Sequence, residues 1–359
     1  MKRIAFVIAV LLQPIAVFGQ QVKIFDSTGS PLGDNFVYQP LQDAVDNASP
    51  GDTLYLVGAG KNFSYGTLNI LGKSDLTIMG PGFNPDNGAA TFTGEAVFDF
   101  LFVLGSDNIN ISGVVVGNVE GGNPFLGDGL LTVTGYQPNS TIIPSSNVTI
   151  TNSKVKQLSI AVTSNVFVSN SYLAATDISE SDSGVSNVTF ANNIVGGSSL
   201  RNSTLTNNLI VYDPSLHSGI RTFSNCTFIG NVFVINDQNE AQSDNNSFLT
   251  NVSNVDLIVD DTDTGSDNTI ASFALSDIYP GQLNNPLNPF INTRANFATT
   301  DSRLVNQGSD GTDIGLTGGA VPFSNSAFAL PTITRLLGPS VIRAGTNATY
   351  QLKVSAGSN

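Results

Sequence analysis

Asn147-Val-Thr-Ile-Thr-Asn152, Asn165-Val-Phe-Val-Ser-Asn170 and Asn187-Val-Thr-Phe-Ala-Asn192 are three versions of one phrase. The second and fourth positions are aliphatic or aromatic and the third is small and polar, which is the period-two alternation of a half-buried strand. Asn stands at both ends, where the chain has to turn; it tolerates the left-handed backbone region and bonds nearby backbone. The phrase recurs upstream as Asp75-Leu-Thr-Ile-Met-Gly80 and Asn108-Ile-Asn-Ile-Ser-Gly113. Downstream it recurs as Asn202-Ser-Thr-Leu-Thr-Asn207, Asn225-Cys-Thr-Phe-Ile-Gly230 and Asn246-Ser-Phe-Leu-Thr-Asn251. From Asn147 the starts step by 18, 22, 15, 23 and 21 residues. A period near 20 with slack in the connections marks a solenoid whose strands stay aligned while its turns vary. The fold class expected is all-β: a right-handed parallel β-helix.

Stacked coils place like residues above one another, so Asn147, Asn165, Asn187, Asn202 and Asn225 are expected to form amide ladders along the axis. Several of them open Asn-x-Ser/Thr triplets, which we read as by-products of the ladder rather than as glycan sites. Phe167, Phe190 and Phe228 are expected to stack between coils. Cys226 stands where Val148, Val166 and Val188 stand, at an inward position; a buried thiol there acts as a small hydrophobe. It is the only Cys, so no internal disulfide contributes to stability.

Leu41, Ala44, Val45 and Ala48 share one face at helical spacing. Ser49-Pro50-Gly51-Asp52 stops that helix, and Thr53-Leu-Tyr-Leu-Val57 reads as the first strand. A helix in this place would cover the open end of the stack. At the extreme N-terminus, Lys2 and Arg3 precede an apolar run from Ile4 to Phe18, and Val17 and Gly19 are small. This is the pattern of a secretory signal cleaved after Gly19. The expected organisation is therefore a signal peptide at 1–19, a β-helix at 20–320 with its cap at about 36–58, and a C-terminal β extension at 321–359. In that extension Leu330–Leu337 and Ala348–Val354 read as strands.

The chain of 359 residues carries 14 basic and 28 acidic side chains. Loss of the signal removes two positive charges from a net −14 and leaves −16. Such a surface repels phosphate backbones and anionic lipid, so nucleic acid is not an expected partner. No run after the signal is apolar for long enough to span a membrane. There is no Trp, no Gly-rich phosphate loop, no thiolate zinc set and no serine triad.

The cap segment Gln42-Asp-Ala-Val, with Ala48-Ser-Pro-Gly-Asp-Thr-Leu-Tyr-Leu, resembles the N-terminal cap of secreted pectate-lyase-like β-helix proteins. The segment Arg303-Leu-Val-Asn-Gln-Gly-Ser-Asp-Gly-Thr-Asp-Ile-Gly-Leu-Thr-Gly-Gly319 is similar to the closing turn of exported members of the Bacteroidetes type. The resemblance covers roughly residues 36–320. It implies a fold that hosts lyases, hydrolases and adhesins alike, and so it does not by itself assign an activity.

Two constellations carry possible chemistry. Arg201, Asp213, His217 and Arg221 flank a loop-like insert between coils. His217 is the only His and would suit acid–base work, while the arginines, one coil apart, would pair with a sugar carboxylate. A solvated loop with chance polar residues is the plain alternative, and the paired-arginine and Asp-rich motifs of the superfamily's enzymes are not visible. Asp261, Asp263 and Asp267 alternate around Gly265 in an acidic turn that would offer Ca²⁺ its oxygen ligands, although the spacing departs from an EF-hand. Asp310 and Asp313 read as caps of backbone. Tyr136, Tyr172 and Tyr212 are candidate platforms for sugar rings. Two functions stand side by side: a non-catalytic exported β-helix presenting a surface to glycan or protein, and a polysaccharide-active enzyme, a lyase or glycoside hydrolase, acting on acidic glycans.

Overall fold

The computed structural model describes residues 22–30, 40–56, 64–82, 95–117, 129–138, 141–178, 184–212, 221–235, 241–257, 262–279, 297–323, 332–337 and 351–355. The signal segment 1–19 lies outside them.

Parallel pairing in register proves the stack. Val148 lies beside Val166, and Val166 beside Val188. Eleven described strands form the first sheet, running from Val22–Phe25 through Ser145–Thr151 and Thr163–Ser169 to Thr264–Ser266. A second sheet bends into two. The strands Lys154–Ile160 and Tyr172–Ile178 pair along their first residues with Val115–Val116 and Ile194–Val195. Along their last residues they pair with Leu130–Thr134 and Ser198–Arg201. Each coil therefore has three sides, called here faces one, two and three in chain order, around a central bore. The molecule is a right-handed parallel β-helix.

The turns explain the asparagines. At the corner entering face one, Asp75, Asn108, Asn147, Asn165, Asn187, Asn202, Asn225 and Asn245 all have φ between 47° and 56°. At the corner leaving it, Asn152, Asn170, Asn192, Asn207, Thr250 and Asp267 do the same, with Gly113 and Gly230 in equivalent places. Gly113 has a second constraint. A Cβ on it would lie 2.4 Å from the Gly80 carbonyl oxygen of the neighbouring coil, so only glycine fits.

This geometry corrects one reading of the sequence. The corner residue of the last phrase is Asn245, and Asn246 takes the inward place beside Cys226, because Thr227 pairs with Ser247. The coil step from Asn225 is thus 20 residues, not 21.

The cap behaves as its position predicts. The helix Leu41–Asn47 buries Leu41, Ala44 and Val45. The Gln42 side-chain amide donates to Asn69 O (2.9 Å) and accepts from Asn69 N (2.8 Å), so it stands in for a strand on the open edge of Thr67–Leu71. Lys73 Nζ closes the helix end by donating to the carbonyls of Asp46 (2.7 Å) and Ala48 (3.1 Å). A further edge is covered by Val22–Phe25, which pairs antiparallel with Thr53–Leu56; the sequence reading missed this strand.

Residues 271–279 and 297–323 return along the outside of face two. Phe273, Leu275, Ile278, Tyr279, Phe297, Leu304, Ile314 and Leu316 bury the outward row Val115, Tyr172, Ile194, Leu209, Val232 and Val252. Arg303 anchors this return with a two-pronged pair to Asp301 while its guanidinium lies 4.9 Å from the Phe273 ring centroid. Asp310 accepts from Thr312 N (3.0 Å) and Asp313 from Asn306 N (3.0 Å), so both cap backbone. Further along the chain, Thr332–Leu337 and Gln351–Ser355 pair antiparallel.

Candidate binding face

Face one carries its outward side chains in two columns. The first, read coil by coil, is Thr53, Thr77, Asn110, Thr149, Phe167, Thr189, Thr204, Thr227, Ser247 and Thr264. The second, two residues further along each strand, is Tyr55, Met79, Ser112, Thr151, Ser169, Ala191, Thr206, Ile229, Leu249 and Ser266. Neighbouring strands lie about 4.8 Å apart and alternate residues about 6.6 Å apart, so the hydroxyls form a two-dimensional lattice. Neither column contains a charged residue. The lattice is also cross-linked, for Ser112 and Thr151 share a hydroxyl–hydroxyl bond of 2.6 Å.

One edge of the face is framed by the exposed corner asparagines. Asn165 Nδ2 donates to Asn147 Oδ1 (3.0 Å), Asn187 Nδ2 to Asn165 Oδ1 (3.0 Å) and Asn245 Nδ2 to Asn225 Oδ1 (2.6 Å). Asn147 Nδ2 donates to Asp107 Oδ1 (2.8 Å); the Ser146 hydroxyl and that amide hold the Asp107 carboxyl below its usual range.

The aromatic candidates fare differently. Tyr172 is fully buried on face two beneath the returning segment, in edge contact with Phe323 (5.3 Å), and cannot serve as a platform. Burial pushes its phenol well above the ordinary value. Tyr136 is half-buried, and the Tyr212 side chain lies outside the described residues. Phe190 and Phe228 fill the bore as expected, but Phe167 is 40% exposed on the outer lattice. It occupies the third phrase position, which points out, and so it is a surface ring rather than a core one.

The two sequence constellations do not assemble into a site among the described residues. Asp213 and His217 lie outside them, as does the Arg221 side chain. Arg201 and Arg221 are on adjacent coils of face three, as expected. However, Arg201 pairs with Ser224, three residues beyond Arg221, so their backbones sit at opposite ends of the strands, roughly 10 Å apart along them.

Asp263 and Asp267 bracket the strand Thr264–Ser266 rather than wrapping a turn. Asp263 is buried, with Oδ1 accepting from Asn246 N (2.9 Å) and Nδ2 (3.1 Å), whereas Asp267 is an exposed corner residue. Four strand residues place them about 13 Å apart. Asp261 lies outside the described residues, among which no three His, Cys, Asp or Glu gather to hold a metal ion. Cys226 is buried, and that burial pushes its thiol up to about 11, against smaller opposing effects of backbone hydrogen bonds with Ser203 and Ser224 and of Arg201. At neutral pH it therefore stays a thiol rather than a thiolate.

The chain matches no protein-family model and no curated protein. Among solved structures it is similar to PfbA, a surface adhesin of Streptococcus pneumoniae. The identity is 14% and the TM-score 0.32, over 57% of this chain and 68% of that one. No helix among the described residues is long and apolar enough to cross a membrane.

Proposed function

We propose that this is an exported, non-catalytic β-helix that holds a polysaccharide or cell-surface glycan against the outside of face one. The observation that carries the reading is the pair of outward columns, in which uncharged hydroxyl side chains recur in register along the stack. Sugars offer hydroxyls at comparable intervals, and donors and acceptors held on strands meet them at little entropic cost. Export rests on the basic–apolar–small pattern of residues 1–19.

The test uses the chain from Gln20 onward against a panel of immobilised neutral and acidic polysaccharides. Neutral polymers should bind with little dependence on salt. Thr189→Lys combined with Thr204→Lys should weaken binding by about tenfold or more, with the melting curve unchanged. Retention of no polymer, or full binding by the double variant, defeats the reading. Unsaturated products from a uronate polymer, lost in His217→Ala, would replace it with a lyase.

A further inference from the structure

We infer that the ligand of face one is the ordered surface of a crystalline, uncharged polysaccharide rather than a single dissolved chain. This rests on the glycan reading above and names the physical state of the glycan. Three observations carry it.

The first is dimensionality. Both columns run in register, so the surface repeats in two directions, as a crystal face does and a lone dissolved chain does not. Between Asn110 and Thr206 nearly every outward position is Thr, Ser or Asn, with Phe167 and Ala191 the departures.

The second is rigidity. Threonine is stiff at χ1, the strands fix its backbone, and the bonded row Asn147, Asn165 and Asn187 locks the border. A preordered surface gains most from a partner that is itself ordered, because neither side loses freedom on contact; a dissolved chain must be immobilised at a cost.

The third is the kind of contact offered. Single chains are commonly gripped by several stacked rings, and the columns hold only Tyr55 and Phe167. Tyr55 is already engaged edge-on by Phe25 at 5.1 Å. The columns hold no cation for a uronate and no acid for an amine. Past Thr206 the second column turns apolar at Ile229 and Leu249, which suits the C–H faces of stacked sugar rings.

The experiment measures adsorption of the chain from Gln20 onward to microcrystalline cellulose and to crystalline chitin. The same polymers after acid swelling, and soluble hexasaccharides of each, serve for comparison. Crystalline forms should be bound at least about tenfold more tightly than swollen ones. Thr149→Lys with Thr204→Lys should abolish the preference, and Gln157→Lys, exposed on face three, should not alter it. Equal binding of swollen or soluble chains, still lost in the threonine variant, overturns this inference and leaves the glycan reading standing. Adsorption to no form, or adsorption indifferent to the threonines, overturns both. Adsorption to a growing ice surface alone would transfer the lattice to frozen water and also overturn both.

Discussion

The early and late coils share one register but line the bore differently. The first inward column of face one reads Leu76, Ile109, Val148, Val166 and Val188, and then Ser203, Cys226, Asn246 and Asp263. The next inward column changes in the opposite sense, from Ile78, Ile111, Ile150 and Val168 to Phe190, Leu205, Phe228 and Phe248. In the last coils a small residue and a large ring share a layer, Cys226 with Phe228 and Asn246 with Phe248, which keeps those layers filled. Phe228 and Phe248 stack at 4.9 Å with planes 5° apart.

At the next corner the early coils use Ser153 and Ser171, the late ones Asn193, Asn208, Asn231, Asn251 and Asn268. Each late amide accepts from the backbone N–H of the coil before it (2.8–2.9 Å). Four of them give Nδ2 to the carbonyls of Phe190, Leu205, Phe228 and Phe248 (2.9–3.0 Å). A bore can therefore change from aliphatic to amide-lined without losing alignment, provided the amides are satisfied on both sides.

Breaking the late lining should cost most. Phe228→Ala opens a cavity between three rings and should cost about 3–5 kcal/mol, while Ile150→Val in an early coil should cost about 0.5–1.5 kcal/mol. Urea midpoints measure both, and a Phe228→Ala loss no larger than that of Ile150→Val would mean that the late coils collapse around the cavity. Asn231→Leu keeps the branching and the number of heavy atoms but strips partners from Asn208 N and Leu205 O. A loss of about 2–4 kcal/mol is expected, against about 1 kcal/mol for Ser171→Ala; a neutral Asn231→Leu would show the ladder to be replaceable by an apolar column.

Alkali offers a milder probe. In the folded chain the Cys226 thiol is raised from about 9 to about 11. The unfolded chain therefore releases its proton first as pH climbs, and stability present below pH 9 should fall by on the order of 2 kcal/mol by pH 11. The buried phenols of Tyr172 and Tyr279 add a decline of the same sign at higher pH. Cys226→Ser should remove the earlier part of the loss, and a titration of stability identical in the two proteins would contradict the burial assigned to the thiol. The smallest effect sharpens the comparison from the other side. Asp263 continues the column of Asn246, but among the described residues its Oδ2 has no hydrogen-bond partner. Asn246 Nδ2 donates to Phe223 O, and Phe223 pairs with Ser243. Asp263→Asn should place a donor toward Ser243 O and raise stability by about 1 kcal/mol; a lower urea midpoint would refute the analogy.

The coil phrase was legible because three separate demands fall on it. Its turns need a residue at positive φ, its strands need alternation, and its stacking repeats both near every 20 residues. The outward threonines followed from the same alternation. The inward amides did not. Asn208 looks as polar as Asn207 beside it, and only the corner geometry sends one in and the other out. The doublets Asn192-Asn193, Asn207-Asn208 and Asn245-Asn246 carry the signal, since two adjacent asparagines cannot both occupy the turn. The burial of Tyr172 is hidden for a different reason: nothing local marks face two as covered, because its cover comes from more than 100 residues further along the chain. Asp263 and Asp267 flank a strand of three residues, and in sequence that spacing reads the same as a ligand loop.

That returning segment bears on how the molecule comes apart. A solenoid held only by adjacent turns peels from its ends, each coil melting nearly on its own. Here Asn192 Nδ2 donates to Gly318 O (2.8 Å) and Gly315 N to Gly230 O (2.7 Å), while Asn207, with its amide turned to suit both partners, bridges Gly230 O (3.2 Å) and Gly319 N (3.1 Å). One strip of chain thus staples layers from Val115 to Val252 side by side. To fray one coil the protein must first lift the strip from its neighbours, which turns a row of semi-independent steps into a single cooperative event.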